Sequence, residues 1–342
     1  MSPLTKPSKF HGIAVLLAWC LAAQGAGSYH LTSSIPIPGS GGWDYIAADS
    51  VNRRLYVSHS SKVDVVDLDS EKVVGEIPDT HGVHGIAIAD DLGRGFISAG
   101  ADNRIVIFDL KTLATIGTSP AGTNPDGILY EPFTHRVFAF NGRSKNATVI
   151  DARDGKFVST IALSGKPEFP AADGKGNVFV NVEDKNAIAH IDATSLEVKA
   201  EWSIAPAESP TGLAIDTKDH RLFSVCDGKV MVVLDYETGK VMATVPIGEG
   251  PDAASYDPAT HTAFASNGEG TLTVVSVGAH DHYTTSTVET KKGARTMTLD
   301  LKTHKVYLPS ADYGPAPEAT ASNPHPRPTV LPDSFKVLVL SP

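Results

Sequence analysis

A chain of 342 residues, 41% of them hydrophobic, can bury a large core, but its 30 glycines and 23 prolines break it into many short segments and exclude a long-helix protein. The formal charge of −10 repels phosphate backbones and anionic membranes. No Lys/Arg cluster interleaved with aromatics overrides it, so nucleic acid is disfavoured as a partner.

The first element in chain order is a leader. Lys6 and Lys9 precede an apolar run of 11 residues, Ile13 to Ala23, and the small residues Gly25, Ala26 and Gly27 follow it. This is the layout of a signal peptide over residues 1–27, since the run falls well short of the roughly 20 residues of a spanning helix. The protein is therefore expected to be exported, periplasmic or secreted, with no transmembrane segment in its mature form. Leu17-Ala18-Trp19-Cys20 approaches a lipobox, but the bulky Trp19 stands where a small residue is required. With Cys20 removed, Cys226 is the only cysteine, so no intramolecular disulfide forms and stability rests on packing. Cys226 itself reads as a small buried hydrophobe. Loss of Lys6 and Lys9 takes the formal charge of the remaining chain to about −12.

The next stretch, His30 to Ile37, alternates like a strand but has no hairpin partner beside it. Beyond it a pattern recurs: an apolar alternation ending in an acid, as in YIAAD, GIAIAD, GILYE, FPAAD, GLAID, AASYD and TMTLD. The acids are Asp49, Asp90, Glu131, Asp173, Asp216, Asp257 and Asp300, separated by 41, 41, 42, 43, 41 and 43 residues. Each copy continues with a turn, a second strand such as RLYVSH or HRVFAFN, a third such as VDVVDL or ATVIDA, and usually a polar turn and a fourth. Period-2 runs of Val, Ile, Phe and Tyr bounded by Gly, Asp, Asn and Pro are strand and turn signals. Four antiparallel strands per roughly 42 residues make a propeller blade. The chain thus predicts an all-β, seven-bladed β-propeller, a single domain over 28–342. The last unit stops after its third strand, and the orphan His30 to Ile37 supplies the fourth by pairing with Phe335 to Leu340.

The stretches GTNPDGILYEPFTHRVFAFN and SPTGLAIDTKDHRLFSV resemble the roughly 40-residue YVTN repeat, with Pro-x-Gly before an apolar strand and aromatic-x-x-Asn after the hairpin. The whole chain resembles the YncE-like propellers, although only Asn141 and Asn267 keep the aromatic-x-x-Asn spacing; His59, Ala99, Val182, Cys226 and Ser310 stand elsewhere. The resemblance implies architecture and no single chemistry. The Gly-His and Trp-Asp signatures of WD40 blades are missing, and the period is short of the roughly 50 residues of kelch blades.

In such a blade the fourth-to-first and second-to-third connections share one face. Entering the first strands are Asp44, His84, Asp126, Glu168, Thr211, Asp252 and Arg295, which are expected to ring the channel mouth. His59, Asn141, Glu183, Asp227 and Asn267, from the second-to-third connections, are expected near the same rim. Such a ring suits a ligand, or a divalent cation held through oxygen atoms, although no cofactor is demanded. The alternative for each acid is a turn cap, since Asp after Pro bonds nearby backbone amides. His135, His220, His261 and His304 recur at equivalent hairpins and read as turn residues, as do Asp67, Asp109, Asp151, Asp192 and Asp235. His280-Asp281-His282 is a weak metal signal beside the spaced ligand sets of dedicated sites.

One element does not repeat. Ser310 to Ser334, in a stretch with seven prolines from Pro309 to Pro332, is a Pro-rich insertion on the channel-mouth side. It is expected either to cover the ring, with Tyr313, His325 and Arg327 as contacts, or to stand as a solvated loop. No nucleophile elbow, Cys-x-x-Cys-His haem attachment or glycine-rich phosphate loop occurs.

The leading expectation is a non-enzymatic, monomeric binding or scaffold protein for a small molecule, glycan, peptide or protein partner. The alternative is a metal-dependent, lactonase-like hydrolase using the channel-mouth carboxylates. A quinone-cofactor role ranks lower, because the tryptophan-bearing repeat of that class is absent and only Trp43 and Trp202 follow the leader.

Overall fold

The computed structural model describes residues 1, 28–39, 41–318, 320 and 328–342. Its strands form seven four-stranded antiparallel sheets. Six blades are hairpin meanders in chain order, spanning 46–77, 83–120, 125–162, 167–203, 208–246 and 251–289. The seventh combines Thr298–Asp300, Lys305–Ser310 and Lys336–Ser341 with the N-terminal strand His30–Pro36. Among the described residues the only helices are four single 3₁₀ turns, and no helix is long and apolar enough to cross a membrane. The leader, residues 2–27, lies outside the described residues, as do His325 and Arg327 of the insertion.

The orphan strand pairs as its sequence predicts. Leu31 faces Leu340, Ile35 faces Val337 and Pro36 faces Lys336, with a bulge between Leu31 and Ser33. The Ile37 N–H then donates to the Phe335 carbonyl at 3.0 Å. Ile35 and Ile37, each 1% exposed, pack with Leu55, Phe335, Val337 and Val339 in the wedge between blades 7 and 1. Tyr29 lies edge-on against Phe264 at 5.0 Å and donates its hydroxyl to the His304 carbonyl at 2.8 Å.

The recurring acids have a local cause. Asp49 accepts the Val51 and Asn52 N–H groups, Glu131 those of Phe133 and Thr134, and Asp216 those of Lys218 and Asp219. Each therefore closes the first hairpin of its blade as an Asx-type turn. His135, His220, His261 and His304 occupy the positive-φ position of these hairpins, which matches their reading as turn residues. The acids after the third strands behave alike. Hydrogen bonds from Ser70, Thr112 and Ser195 hold Asp67, Asp109 and Asp192 below the usual carboxylate range, and Arg153 brings Asp151 to about 2. Cys226 is fully buried, and burial pushes its thiol up to about 12.

Near the axis the blades converge so closely that side chains are excluded. A Cβ on Gly127 would stand 2.6 Å from the Glu168 carbonyl oxygen and 2.8 Å from Pro170 Cδ. One on Gly212 would stand 2.5 Å from Ala253 Cα. This is the physical reason for glycine after the channel-facing residue in PDG and PTG. Gly127→Ala is accordingly expected to destabilise the protein by about 2–3 kcal/mol in urea melts. Gly42→Ala, whose Cβ would meet nothing within 4 Å, should leave the midpoint in place.

Candidate binding site at the channel mouth

The ring residues are held by their neighbours' side chains. Thr296 of blade 7 donates to the Asp44 carbonyl at 2.8 Å, Ser98 of blade 2 to the Asp126 carbonyl at 2.5 Å, and Asn181 of blade 4 to the Thr211 carbonyl at 2.8 Å. Ser266 of blade 6 does the same for Arg295. In blades 2, 4 and 6 a polar side chain near the end of the second strand, and in blade 7 Thr296 just before the first strand, fixes the next blade's entry, so ring side chains start from a clamped backbone.

On that backbone Asp44, His84 and Asp126 converge. His84 Nδ1 lies 2.5 Å from Asp44 Oδ2 and 3.7 Å from Asp126 Oδ1. Among the described residues these are the one group of three His, Cys, Asp or Glu side chains whose donor atoms all lie within 4.8 Å of one another. Asp126 Oδ1 is shielded from solvent and has no hydrogen-bond partner. Around the ring, Lys166 Nζ bridges Glu168 and Glu183 at 2.5 Å each, and Arg295 Nε meets Asp252 Oδ2 at 2.9 Å.

The electrostatics differ from those of the turn acids. Burial, reinforced by the Asp126 charge, lifts Glu168 well above the usual carboxylate range despite Lys166. Burial also lifts Asp126, with His84 opposing and Asp44 reinforcing. Asp252 is pushed up to about 7 by burial, against the pull of Arg295. Burial would lower His84, but its hydrogen bond to Asp44 and the charges of Asp126 and Asp44 outweigh that and raise it to about 9. Near neutral pH the mouth therefore holds a protonated imidazole among the carboxyls of Asp126, Glu168 and Asp252, all three of them raised.

Two aromatic side chains meet among these acids. Tyr45 of blade 1 and Phe169 of blade 4 meet edge-to-face across the axis at 5.0 Å. The Tyr45 phenol, buried and facing the charges of Asp252, Asp126, Asp44 and Glu168, is held far above its ordinary ionisation range. The mouth is thus an acidic cup that holds an aromatic pair.

Of the residues expected here, Asp44, His84, Asp126, Glu168, Asp252 and Arg295 stand around the mouth, and Glu183 joins them through Lys166. Thr211 donates to the Pro251 carbonyl at 2.9 Å and serves the blade junction. His59, Asn141 and Asn267 stand behind the ring. His59 is 2% exposed, bonded through Nδ1 to Asp64 at 2.7 Å and packed on Phe335. Asn141 donates to Asn146 and Thr148, and Asn267 to Thr271 and Thr273, so the motif asparagine ties second strand to third. Asp227 lies opposite Glu208 where the first strand of blade 5 begins. Asp281 holds Arg221 at 2.8 Å, and its stretch gathers no third metal-capable partner among the described residues.

Sequence reasoning missed Lys166, Asn124, Tyr45 and Phe169. The signal was departure from the repeat. Two positions before the ring residue four blades carry Gly42, Gly82, Gly250 and Gly293, whereas Asn124 and Lys166 reach the ring, Asn124 by a hydrogen bond to His84. One position after it, small residues give way only to Tyr45 and Phe169.

No family model and no curated protein matches the chain in sequence. Among solved structures it is similar to Kuenenia stuttgartiensis hydrazine synthase, at 17% identity and a TM-score of 0.69, over 80% of this chain and 94% of that one. At this identity the likeness is one of fold alone, the β-propeller.

Proposed function

We propose that the chain is an exported binding protein of the YVTN-repeat, YncE-like kind, taking its ligand at the channel mouth. The observation that carries this reading is the contrast between two sets of acids. Asp67, Asp109 and Asp192, which close the turns after the third strands, are hydrogen-bonded and held low. The mouth acids Asp126, Glu168 and Asp252 are largely shielded from solvent, held high, and leave Asp126 Oδ1 without a hydrogen-bond partner. Gathering carboxyls this way opposes folding, so their placement points to a partner that offsets it.

A cation is that partner's simplest form. Asp44, His84 and Asp126 offer a mixed oxygen and nitrogen set suited to a divalent metal ion or to the cationic group of a small molecule. The same three donors favour the second reading, a lactonase-like hydrolase. In that case an ion would polarise a carbonyl while Glu168, holding its proton near neutral pH, served as the acid.

Calorimetric titration of the mature protein with Mg²⁺, Ca²⁺, Mn²⁺ and Zn²⁺ tests the site. At least one ion is expected to bind one to one, about tenfold or more weaker in Asp126→Asn. Binding should be tighter at pH 8 than at pH 6, because the ion displaces protons from His84 and the raised carboxyls. Heat from none of the four ions would overturn the metal reading. Ion-dependent hydrolysis of simple lactones, lost in His84→Gln, would decide for the hydrolase.

A further inference from the structure

Beside the acidic cup, and sharing Arg295 with it, lies a second chamber. It is a cleft of about 600 Å³, in the size range of small-molecule sites, between the entries to blades 7 and 1 and the described ends of the Pro-rich insertion. Trp43, Tyr313 and Val330 give it apolar walls, Lys292 and Arg295 give it charge, and Gly42 lies at its edge. Trp43 is fixed from behind by stacking on Phe335 at 4.9 Å, with an interplanar angle of 14°. Tyr313 faces it at 6.2 Å. The insertion is anchored here by an antiparallel bridge between Tyr313 and Val330 and by the Lys291–Asp312 ion pair. Its ends therefore form a roof on this side of the mouth.

The charge of this chamber runs against that of the molecule. In a chain of formal charge −10, the cleft is lined by two cations and by no carboxylate among the described residues. Arg295 spends its Nε on Asp252 and remains about half exposed. Lys292 is exposed and forms no ion pair among the described residues. Aromatic walls select a flat apolar body, and a guanidinium beside an ammonium selects a compact anion.

We propose that this cleft binds a small aromatic carboxylate, its ring against the aromatic wall of Trp43 and Tyr313 and its carboxylate on Lys292 and Arg295. The inference rests on the channel face being the binding face and names the class of organic ligand it takes. Gly42 provides a clean block, since it borders the cleft, its φ lies outside the left-handed region, and a Cβ there would meet no atom within 4 Å.

Calorimetry on the mature protein with benzoate, cinnamate and 2-naphthoate, each beside its neutral amide, tests this. At least one acid is expected to bind one to one, with its amide at least tenfold weaker. Gly42→Leu and Lys292→Gln, both surface changes, are each expected to weaken the acid at least fivefold. Failure of all three acids to bind at 1 mM, amides that bind as well as acids, or a Gly42→Leu protein that binds unchanged would overturn the proposal. The same samples titrated with the four divalent ions separate the two claims. Carboxylate binding without ion binding keeps the cleft and removes the metal reading; ion binding without carboxylate binding does the reverse.

Discussion

Replacing Glu168 by Gln is expected to raise the thermal midpoint at pH 8 and to leave it unchanged at pH 4.5. Glu168 is 6% exposed, and burial together with the Asp126 charge lifts its carboxyl well above the range it has in an unfolded chain. A group whose native pKa is raised contributes stability that is complete below its unfolded pKa, roughly 4.3, and is lost as pH climbs through the native value. Glutamine keeps the volume and cannot ionise, so the variant escapes that loss, and Lys166 retains Glu183 as a partner. The gain is expected to be about 1–3 kcal/mol at pH 8, a rise of a few degrees. Melting curves of both proteins at pH 4.5, 6 and 8 decide the matter. A variant less stable than the parent at pH 8 would mean that the Lys166–Glu168 pair outweighs burial and repulsion.

The largest loss is expected at the seam where the chain ends meet. Removing residues 28–37 strips the outer strand from blade 7 and leaves Lys336–Ser341 with an open edge. It also empties the wedge filled by Ile35 and Ile37. The truncated protein is expected to aggregate or to melt without cooperativity. The milder double change Ile35→Ala with Ile37→Ala should cost about 5 kcal/mol, from two fully buried aliphatic side chains. A synthetic peptide carrying residues 28–39 should restore part of the truncated protein's cooperativity by adding back the missing strand. A truncated protein that melts with an unchanged midpoint would remove the seam from any role in stability.

Much of the architecture could be read from period alone. A recurring acid at the end of each first strand announces the blade, because hairpin closure needs an acceptor for turn amides: Asp49, Glu131, Asp173 and Asp216 each take two, and Asp257 and Asp300 one, whereas the Asp90 turn closes through its backbone carbonyl. The closing strand was legible for a complementary reason: one blade lacked a fourth strand and one strand lacked a blade. Which channel-side residues share a ring also followed from register, as Asp44, His84 and Asp126 show.

Finer placement was not legible. His59, Asn141 and Asn267 share the ring's end of the blade but sit one residue beyond the side chain that reaches the next blade. Strand alternation therefore turns them back into their own sheet. Ser98, Ser266 and Asn181, one residue earlier, make the contacts between blades instead. The meeting of Tyr45 with Phe169 joins opposite blades, and no local pattern encodes which side chains are long enough to cross the axis. Nor does sequence distinguish the low pKa of Asp67 from the raised one of Asp252, because the difference lies in burial and in the count of nearby amides.

That aromatic contact ties blade 1 directly to blade 4. A shift of the Tyr45 ring is thereby passed straight to Phe169 without travelling through the blades between them.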